Sequence, residues 1–400
     1  MRRAVFILSN DVHARMFAPV ADQLRTLGWR VDGIPLDRWY GQGAGPVATA
    51  LGMPSTMVGP LHGGHGRTFY GRPAPLIVLD ALRARRPVRG VLTRLRPDVL
   101  IVGNDRGLIE KLALREGRRL GAGTVLLQDG TIGRRSAADR GMRRRLWRAA
   151  RRTLSGLAGR AGLRDLVATE YGLWGCDLVC VAGPEAARTF VDRGVPSARI
   201  VETGQPRYDG LSSAPEPTAS GVVWFTTPYG AQNLGHDRQR EQIAAVADAA
   251  LACRGAAIDF VVRPHPRDDA REYHRAVEAG AGTCIGGDVA AVLASAEAAV
   301  MSISSVVDEA ALIGVPVMVA QPADGALEPL LPPARAYPRV HSGAGVVALA
   351  GRWRSDRALR DDVVGRQRAW VAKRLCWDPN VPAANRVAAL IDGLPGAEAS

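Results

Sequence analysis

The sequence predicts an α/β protein made of two doubly wound domains, each a parallel sheet with helices on both faces, facing a central cleft where ligands bind. Three observations carry this: a length of 400 residues, short apolar runs alternating with helical patterns in both halves, and a Pro- and Ser-rich break from Leu211 to Ser220. With 47% hydrophobic and 23% charged residues, the composition excludes a disordered tail or a fibrous repeat. No tandem repeat is visible.

The first half opens with a strand, Ala4 to Leu8, and a helix from Phe17 to Leu27, whose Phe17, Val20, Ala21, Leu24 and Leu27 recur at helical spacing before Gly28. Gly41 to Pro75 is rich in Gly and Pro and weakly periodic, so it reads as loop. Val99 to Val102 is a strand, Leu108 to Leu120 a helix, and Thr124 to Leu127 a strand ending at Gln128-Asp129-Gly130. Leu178 to Val181 repeats the pattern, with Gly183-Pro184 opening a helix. Beyond the break come a strand at Val222 to Phe225, a helix at Arg240 to Ala252, and a strand at Ile258 to Val262 running into Arg263-Pro-His-Pro266. Ala298 to Met301 leads through Ser302-Ile-Ser-Ser305 into a helix ending at Ile313, then a strand from Val315 to Val319. The expected organisation is a domain over 1–211, a linker over 212–220, a second domain over 221–380, and a tail over 381–400 whose helix, Ala383 to Ile391, packs back across the linker.

No apolar run approaches the ~20 residues needed to span a bilayer. Arg2-Arg3 is followed only by Ala4 to Leu8 before Ser9-Asn10-Asp11, so a cytoplasmic chain without a signal peptide is expected. The five cysteines include Cys176 and Cys180 but no zinc-type set, and they read as buried free thiols. The net charge of +13 is concentrated: Arg134 to Arg164 holds eleven Arg against Asp139 alone. Met142, Leu146, Ala150, Leu154, Leu157 and Ala161 form an apolar stripe there, among Arg on the other faces. Such a helix suits an anionic membrane surface, which would make the protein peripheral on the inner face of the membrane; the other readings are a solvated helix on its own domain or a contact for an anionic acceptor. Nucleic acid is not an expected partner, because no aromatic residues interleave the basic ones.

Two constellations in the second half point to chemistry. Ser302-Ile-Ser-Ser305 stands where a strand turns into a helix, and the free N–H groups and positive dipole end there favour an anion. Ser304 and Ser305 suit a phosphate, and Glu309, one turn on, a ribose hydroxyl; the alternative is that Ser304 only caps the helix. In Arg263-Pro-His-Pro266 the prolines fix φ on either side of an imidazole, and Arg263 with His265 suits a leaving phosphate that needs positive charge and a proton. Thr226 and Thr227, at the end of the second domain's first strand, are placed to touch the same ligand.

The His-Pro motif, the Ser-rich turn with Glu309-Ala and Gly314-Val-Pro-Val317, and Thr203-Gly-Gln-Pro-Arg-Tyr-Asp209 together resemble the GT-B glycosyltransferase superfamily. The likeness covers most of residues 95–320 in order. It is nearest to bacterial capsule, Kdo and polysialic acid transferases and CDP-glycerol transferases, with UDP-N-acetylglucosamine 2-epimerase as a cousin. It implies two Rossmann-like domains and a donor nucleotide held by His265, Ser304, Ser305 and, by analogy with the epimerase, Glu309. The donor group is completed by Arg263, Ser302, Thr226, Thr227, and by Gly204 and Arg207 of the third motif. Many relatives have Gln-His-Gly where this chain has Gln128-Asp129-Gly130.

The activity implied is inverting transfer of a sugar from a nucleotide-sugar donor to a hydroxyl acceptor such as envelope polysaccharide, a glycolipid or a metabolite. The resemblance also implies no resident cofactor or metal, with helix termini and Arg neutralising the phosphate; His62-Gly-Gly-His65 reads as a solvent loop. Transfer needs a base from the first half, and the candidates are Asp129 first, then His13, then Asp105 and Glu170. Asp105 has the alternative of capping the helix at Leu108. Rival activities are nucleotide-sugar epimerisation, CDP-glycerol phosphotransfer, and non-catalytic nucleotide binding.

Overall fold

The computed structural model describes residues 1–40, 43–58, 74–130, 170–213, 221–230, 234–321, 325 and 327–394. The chain divides into two compact units, Met1–Asp209 with Arg374–Ser400, and Gly210–Lys373.

The first unit runs β1 (Arg3–Leu8), α1 (Asp11–Thr26), β2 (Arg30–Pro35), α2 (Asp37–Tyr40), α3 (Ala44–Ala50), α4 (Ala74–Leu95), β3 (Val99–Val102), α5 (Leu108–Arg119), β4 (Gly123–Leu127), β5 (Leu178–Val181), α6 (Pro184–Arg193) and β6 (Ile200–Glu202). Its six strands lie in the order β2-β1-β3-β4-β5-β6, each neighbouring pair parallel. Side chains alternate across the sheet. Ala4, Phe6 and Leu8 face a core with α1, whereas Val5 and Ile7 face one with α4 and α5. Burial on both faces, ~1.5–3 kcal/mol for a large aliphatic side chain, is what makes such strands unbroken apolar runs.

The second unit runs β7 (Gly221–Phe225), α7 (His236–Gly255), β8 (Asp259–Arg263), α8 (Ala270–Glu278), β9 (Thr283–Cys284), α9 (Val289–Ala294), β10 (Ala298–Met301), α10 (Val306–Ile313), β11 (Val317–Ala320), β12 (Arg339–Val340), α11 (Gly343–Ser355) and α12 (Arg357–Arg374). Its strands are ordered β12-β11-β10-β7-β8-β9, all parallel. Trp224 pairs with Val300 on one side and Val262 on the other, so the ends of β8, β7 and β10 lie side by side. Trp224, Phe260, Val262 and Val300 pack beneath α7, α8 and α11.

Several elements depart from the sequence reading. The first helix begins at Asp11, not Phe17, because the Asn10 carboxamide caps it by accepting the His13 N–H at 2.8 Å. The stretch expected as loop contains α3, whose start is held by Asp37: its two oxygens accept the Ala44 and Gly45 N–H groups, each at 2.6 Å. The last helix, α13 (Ala383–Asp392), lies on the first unit's core through Ala384, Val387, Ala388 and Ile391. The chain rejoins that unit at Arg374, which pairs with Glu185 at 2.8 Å, and Cys376, whose N–H donates to Ala182 at 2.8 Å. Among the described residues no helix is long and apolar enough to cross a membrane.

Candidate functional site

In the first unit, β1, β3 and β4 end together at the point where strand order reverses, the usual place for a ligand in an open α/β sheet. His13 from the first turn of α1 reaches over the end of β3, and Asp129 follows β4. His13 Nε2 lies 3.0 Å from Asp129 Oδ2. The Ser9 backbone N–H donates to His13 Nδ1 at 3.3 Å, which leaves Nε2 as the nitrogen that donates to the carboxylate. The ring passes so close to Gly103 that a Cβ there would stand 2.7 Å from Cε1 and Nε2. Gly103 is thus required where a larger residue would eject the imidazole.

The loop carrying Asp129 is fastened on all sides. Its N–H donates to the Tyr171 hydroxyl at 3.0 Å, and that hydroxyl donates to the Gly103 carbonyl at 2.8 Å. Gln128 accepts the Ala182 N–H at 2.9 Å, and its carbonyl accepts from Gln205 at 3.1 Å. The His13 side chain is 1% exposed and that of Asp129 29%, so the carboxylate is the member of the pair that meets solvent. Tyr171 lies in no motif and was not legible as a site residue; Gln205 lies within the Thr203 to Asp209 motif, but its contact with Gln128, 77 residues away, was not legible.

Asp105 does not cap α5. Fully buried, it accepts the Gly172 N–H at 2.9 Å and the Trp174 N–H at 3.0 Å, while Gly107 stands at the N-cap of α5. Burial raises its pKa above the usual 3.8, and the two N–H donors and Lys111 pull the other way. Glu170 is half-buried ahead of Tyr171, its carbonyl accepting the Leu173 N–H at 3.0 Å.

Gly204 and Arg207 lie in the first unit. Gly204 has φ +81°, and a Cβ on it would stand 2.7 Å from the Cys376 carbonyl, so glycine is needed for close packing of the returning chain. Arg207 lies over the Tyr208 ring, 4.5 Å from its centroid, and hydrogen-bonds its hydroxyl. The whole motif clasps α13: Asp209 accepts the Ala383 and Ala384 N–H groups at 2.7 and 2.8 Å, and Arg386 donates to the Thr203 carbonyl at 2.7 Å.

In the second unit, Thr226, Arg263 to His265, and Ser302 to Ser305 stand at the ends of three adjacent strands, again at the reversal of strand order. The His265 N–H donates to Thr226 Oγ1 at 2.8 Å, and the Arg267 N–H donates to His265 Nδ1 at 3.1 Å, leaving Nε2–H as the ring's donor. Burial holds the imidazole below its usual 6.5; Asp268 opposes this, while Arg267 and Arg263 reinforce it. His265 thus presents Nε2–H as a hydrogen-bond donor at this strand end.

Charge comes from Arg263, which donates to the Gly287 carbonyl at 2.8 and 3.2 Å. Burial lowers its pKa, and the nearby carboxylates of Glu309 and Asp288 counter that. Ser305 occupies the N-cap of α10 without a capping bond from its side chain, and Ser304 Oγ accepts the Val306 N–H at 3.2 Å.

Three expected donor contacts are instead internal. Ser302 is buried and accepts from the Tyr229 hydroxyl at 2.7 Å. Thr227 is buried, its hydroxyl donating to the Ile303 carbonyl at 3.2 Å and its N–H to Gln242 at 2.8 Å. Thr226, also buried, donates to Asp268 and accepts from His265. The basic stretch 134–164 and the pair His62 and His65 lie outside the described residues, as does 214–220 of the expected linker.

Two doubly wound parallel units, each with polar groups gathered at its strand reversal, define the GT-B fold. No protein-family model and no curated protein matches the sequence. Solved structures do match. The chain is similar to the glycotransferase of kitacinnamycin, with 18% identity, 98% of this chain and 99% of that one covered, and a TM-score of 0.61. It is also similar to UDP-GlcNAc 2-epimerase from Neisseria meningitidis bound to UDP-GlcNAc, with 11% identity, coverage of 97% and 99%, and a TM-score of 0.60. HepE of Anabaena in complex with UDP and glucose follows, with 13% identity, coverage of 98% and 100%, and a TM-score of 0.58.

Proposed function

We propose that the protein is a nucleotide-sugar-dependent glycosyltransferase that inverts the anomeric centre. The observation that carries this reading is the grouping of Arg263, the Nε2–H of His265 and the Ser304-Ser305 start of α10 at three adjacent strand ends. A cation, a neutral donor and the positive end of a helix dipole are complementary to the diphosphate of a leaving nucleotide. The neighbours solved with UDP or UDP-GlcNAc support a nucleotide sugar as the ligand.

In this reading the acceptor oxygen attacks the anomeric carbon while the Asp129 carboxylate takes its proton. The bond from that carbon to the diphosphate oxygen breaks, and the electron pair leaves with the phosphate. Arg263, the positive end of α10 and His265 Nε2–H stabilise the charge that develops there. His13 holds Asp129 in place from behind, and Glu309 accepts from a ribose hydroxyl. Protein groups supply all the positive charge, so the reaction is read as metal-independent.

The test is a panel of CMP-, CDP-, UDP- and GDP-linked donors, read first by thermal shift and then by nucleotide release with and without hydroxyl acceptors. Acceptor-dependent release of a nucleoside diphosphate is expected. Acceptor-independent isomerisation would indicate epimerisation, CMP release a phosphotransferase, and binding without turnover a scaffold. If His265→Ala changed neither affinity nor turnover, the donor site would be misassigned.

A further inference from the structure

The polar groups behind the His-Pro turn form a closed circuit that the donor reading leaves unused. Thr226 has one hydroxyl proton and two lone pairs. It gives the proton to Asp268 Oδ2 and accepts the His265 N–H at 2.8 Å, so one oxygen joins both ends of the turn His265 to Asp268. The Asp268 N–H closes the same turn on the His265 carbonyl at 2.8 Å. The other carboxylate oxygen accepts from Gln239 Nε2 at 3.0 Å, and that nitrogen also lies 2.9 Å from the Tyr273 hydroxyl. Gln242 donates to that hydroxyl at 2.6 Å and brackets Thr227, donating to its carbonyl at 3.0 Å and accepting its N–H at 2.8 Å. The turn is thereby tied to β7, α7 and α8 at once.

From this geometry we propose that Asp268 is the positioning residue for His265: acting through Thr226, it holds the turn in the shape that keeps the Arg267 N–H on Nδ1 and leaves Nε2–H to bind an anionic ligand. The identity of that ligand as a nucleotide diphosphate rests on the reading above; the positioning itself does not. A carboxylate is required because it accepts from Thr226 and Gln239 together. The carboxamide of Asn has one acceptor oxygen, so Asp268→Asn sets an NH2 group against one of those donors. The charge matters as well. The groups that act on the imidazole are Asp268, which favours its protonation, and Arg267 and Arg263, which oppose it; Tyr273 faces Asp268 from α8, and its own pKa is pushed up by burial and by that carboxylate.

The experiment uses the full chain and reads the histidine side chains by long-range ¹H–¹⁵N correlation across a pH titration, with His265→Gln to assign the signal, alongside UDP titration of each variant. Wild-type protein is expected to show His265 with Nδ1 unprotonated and a midpoint below 6.5. In Asp268→Asn the midpoint falls further and the Nδ1-protonated tautomer becomes populated, and in Thr226→Val the tautomer mixes likewise. Thr226→Ser, which keeps the hydroxyl, restores the wild-type spectrum. UDP affinity follows the tautomer, dropping about tenfold in the first two variants, the scale of one hydrogen bond to a charged group. A merely structural Asp268 would lower the melting temperature and leave the tautomer alone, with only the electrostatic fall of the midpoint that loss of its charge brings. If both Asp268→Asn and Thr226→Val kept the wild-type tautomer, the proposal would be overturned. Failure of wild-type protein to bind UDP would count against the donor reading, and the histidine spectrum would still decide the role of Asp268.

Discussion

His13 and Asp129, 116 residues apart in sequence, meet at 3.0 Å across the glycine that ends β3. One of the two is sealed and the other reaches solvent, so in the proposed reaction Asp129 is the member that meets the acceptor and His13 the member that orients it. Asp129→Asn is expected to lower turnover by about 10²- to 10⁴-fold, the usual range for a lost general base, with UDP affinity unchanged. Gly103→Ala should reproduce part of that loss without altering either partner, since its Cβ would displace the ring. Steady-state kinetics beside UDP titration checks both. Full activity in Asp129→Asn would remove the residue from the mechanism.

The two ends of Ser302-Ile-Ser-Ser305 should respond oppositely to truncation. The Ser302 hydroxyl is buried against Tyr229, so Ser302→Ala leaves a phenol without its acceptor and is expected to lower unfolding stability by about 1–3 kcal/mol. Ser305→Ala removes a hydroxyl that caps nothing. It should leave the melting temperature in place and weaken UDP binding about tenfold. Urea unfolding and calorimetry separate the two effects.

Buried Asp105 gives a test with a sign. Its folded-state pKa is raised above 3.8, so the folded protein binds this proton more tightly than the unfolded chain does. Its contribution to stability is therefore greatest below that value and is lost as pH rises through the raised pKa. Asp105→Asn should flatten that slope in the difference between the two proteins' urea-unfolding curves. At pH 7 the variant should also be less stable by about 1–3 kcal/mol, because Asn cannot accept from both Gly172 and Trp174. A steeper slope in the variant would contradict the assignment.

What could be read from sequence was what burial writes into it. Val99 to Val102 and Val222 to Phe225 are covered on both faces and appear as plain apolar runs. Strand β2 was missed because Asp32 and Gly33 interrupt it; Asp32 is tolerated there beside Arg3 and Arg30, at 3.4 and 3.7 Å. Strand ends were legible too, so His265, Ser305 and Asp129 stood out. Their partners did not. Gln239, Gln242 and Tyr273 lie on helices, where polar residues look like a solvent face, and only the packing of α7 and α8 turns them toward β7. The Thr203 to Asp209 motif was recognisable, yet its clasp on α13 depends on a chain returning from 174 residues away.

That clasp supplies the last prediction. Asp209 accepts two N–H groups at the start of α13, a capping role performed by a residue far from the helix, since Pro382 at the N-cap has no side-chain acceptor. Asp209→Ala leaves both N–H groups without that carboxylate, and a lost cap typically costs about 0.5–2 kcal/mol. Because Ala384, Val387 and Ile391 complete the core on the α1 face, release of the helix also uncovers apolar surface. The variant should show earlier proteolytic removal of the C-terminal segment and a lower unfolding midpoint. Asp209→Asn, which retains one acceptor oxygen, should fall between variant and wild type. Equal protease resistance in all three would show that the core contacts of α13 hold it without the carboxylate.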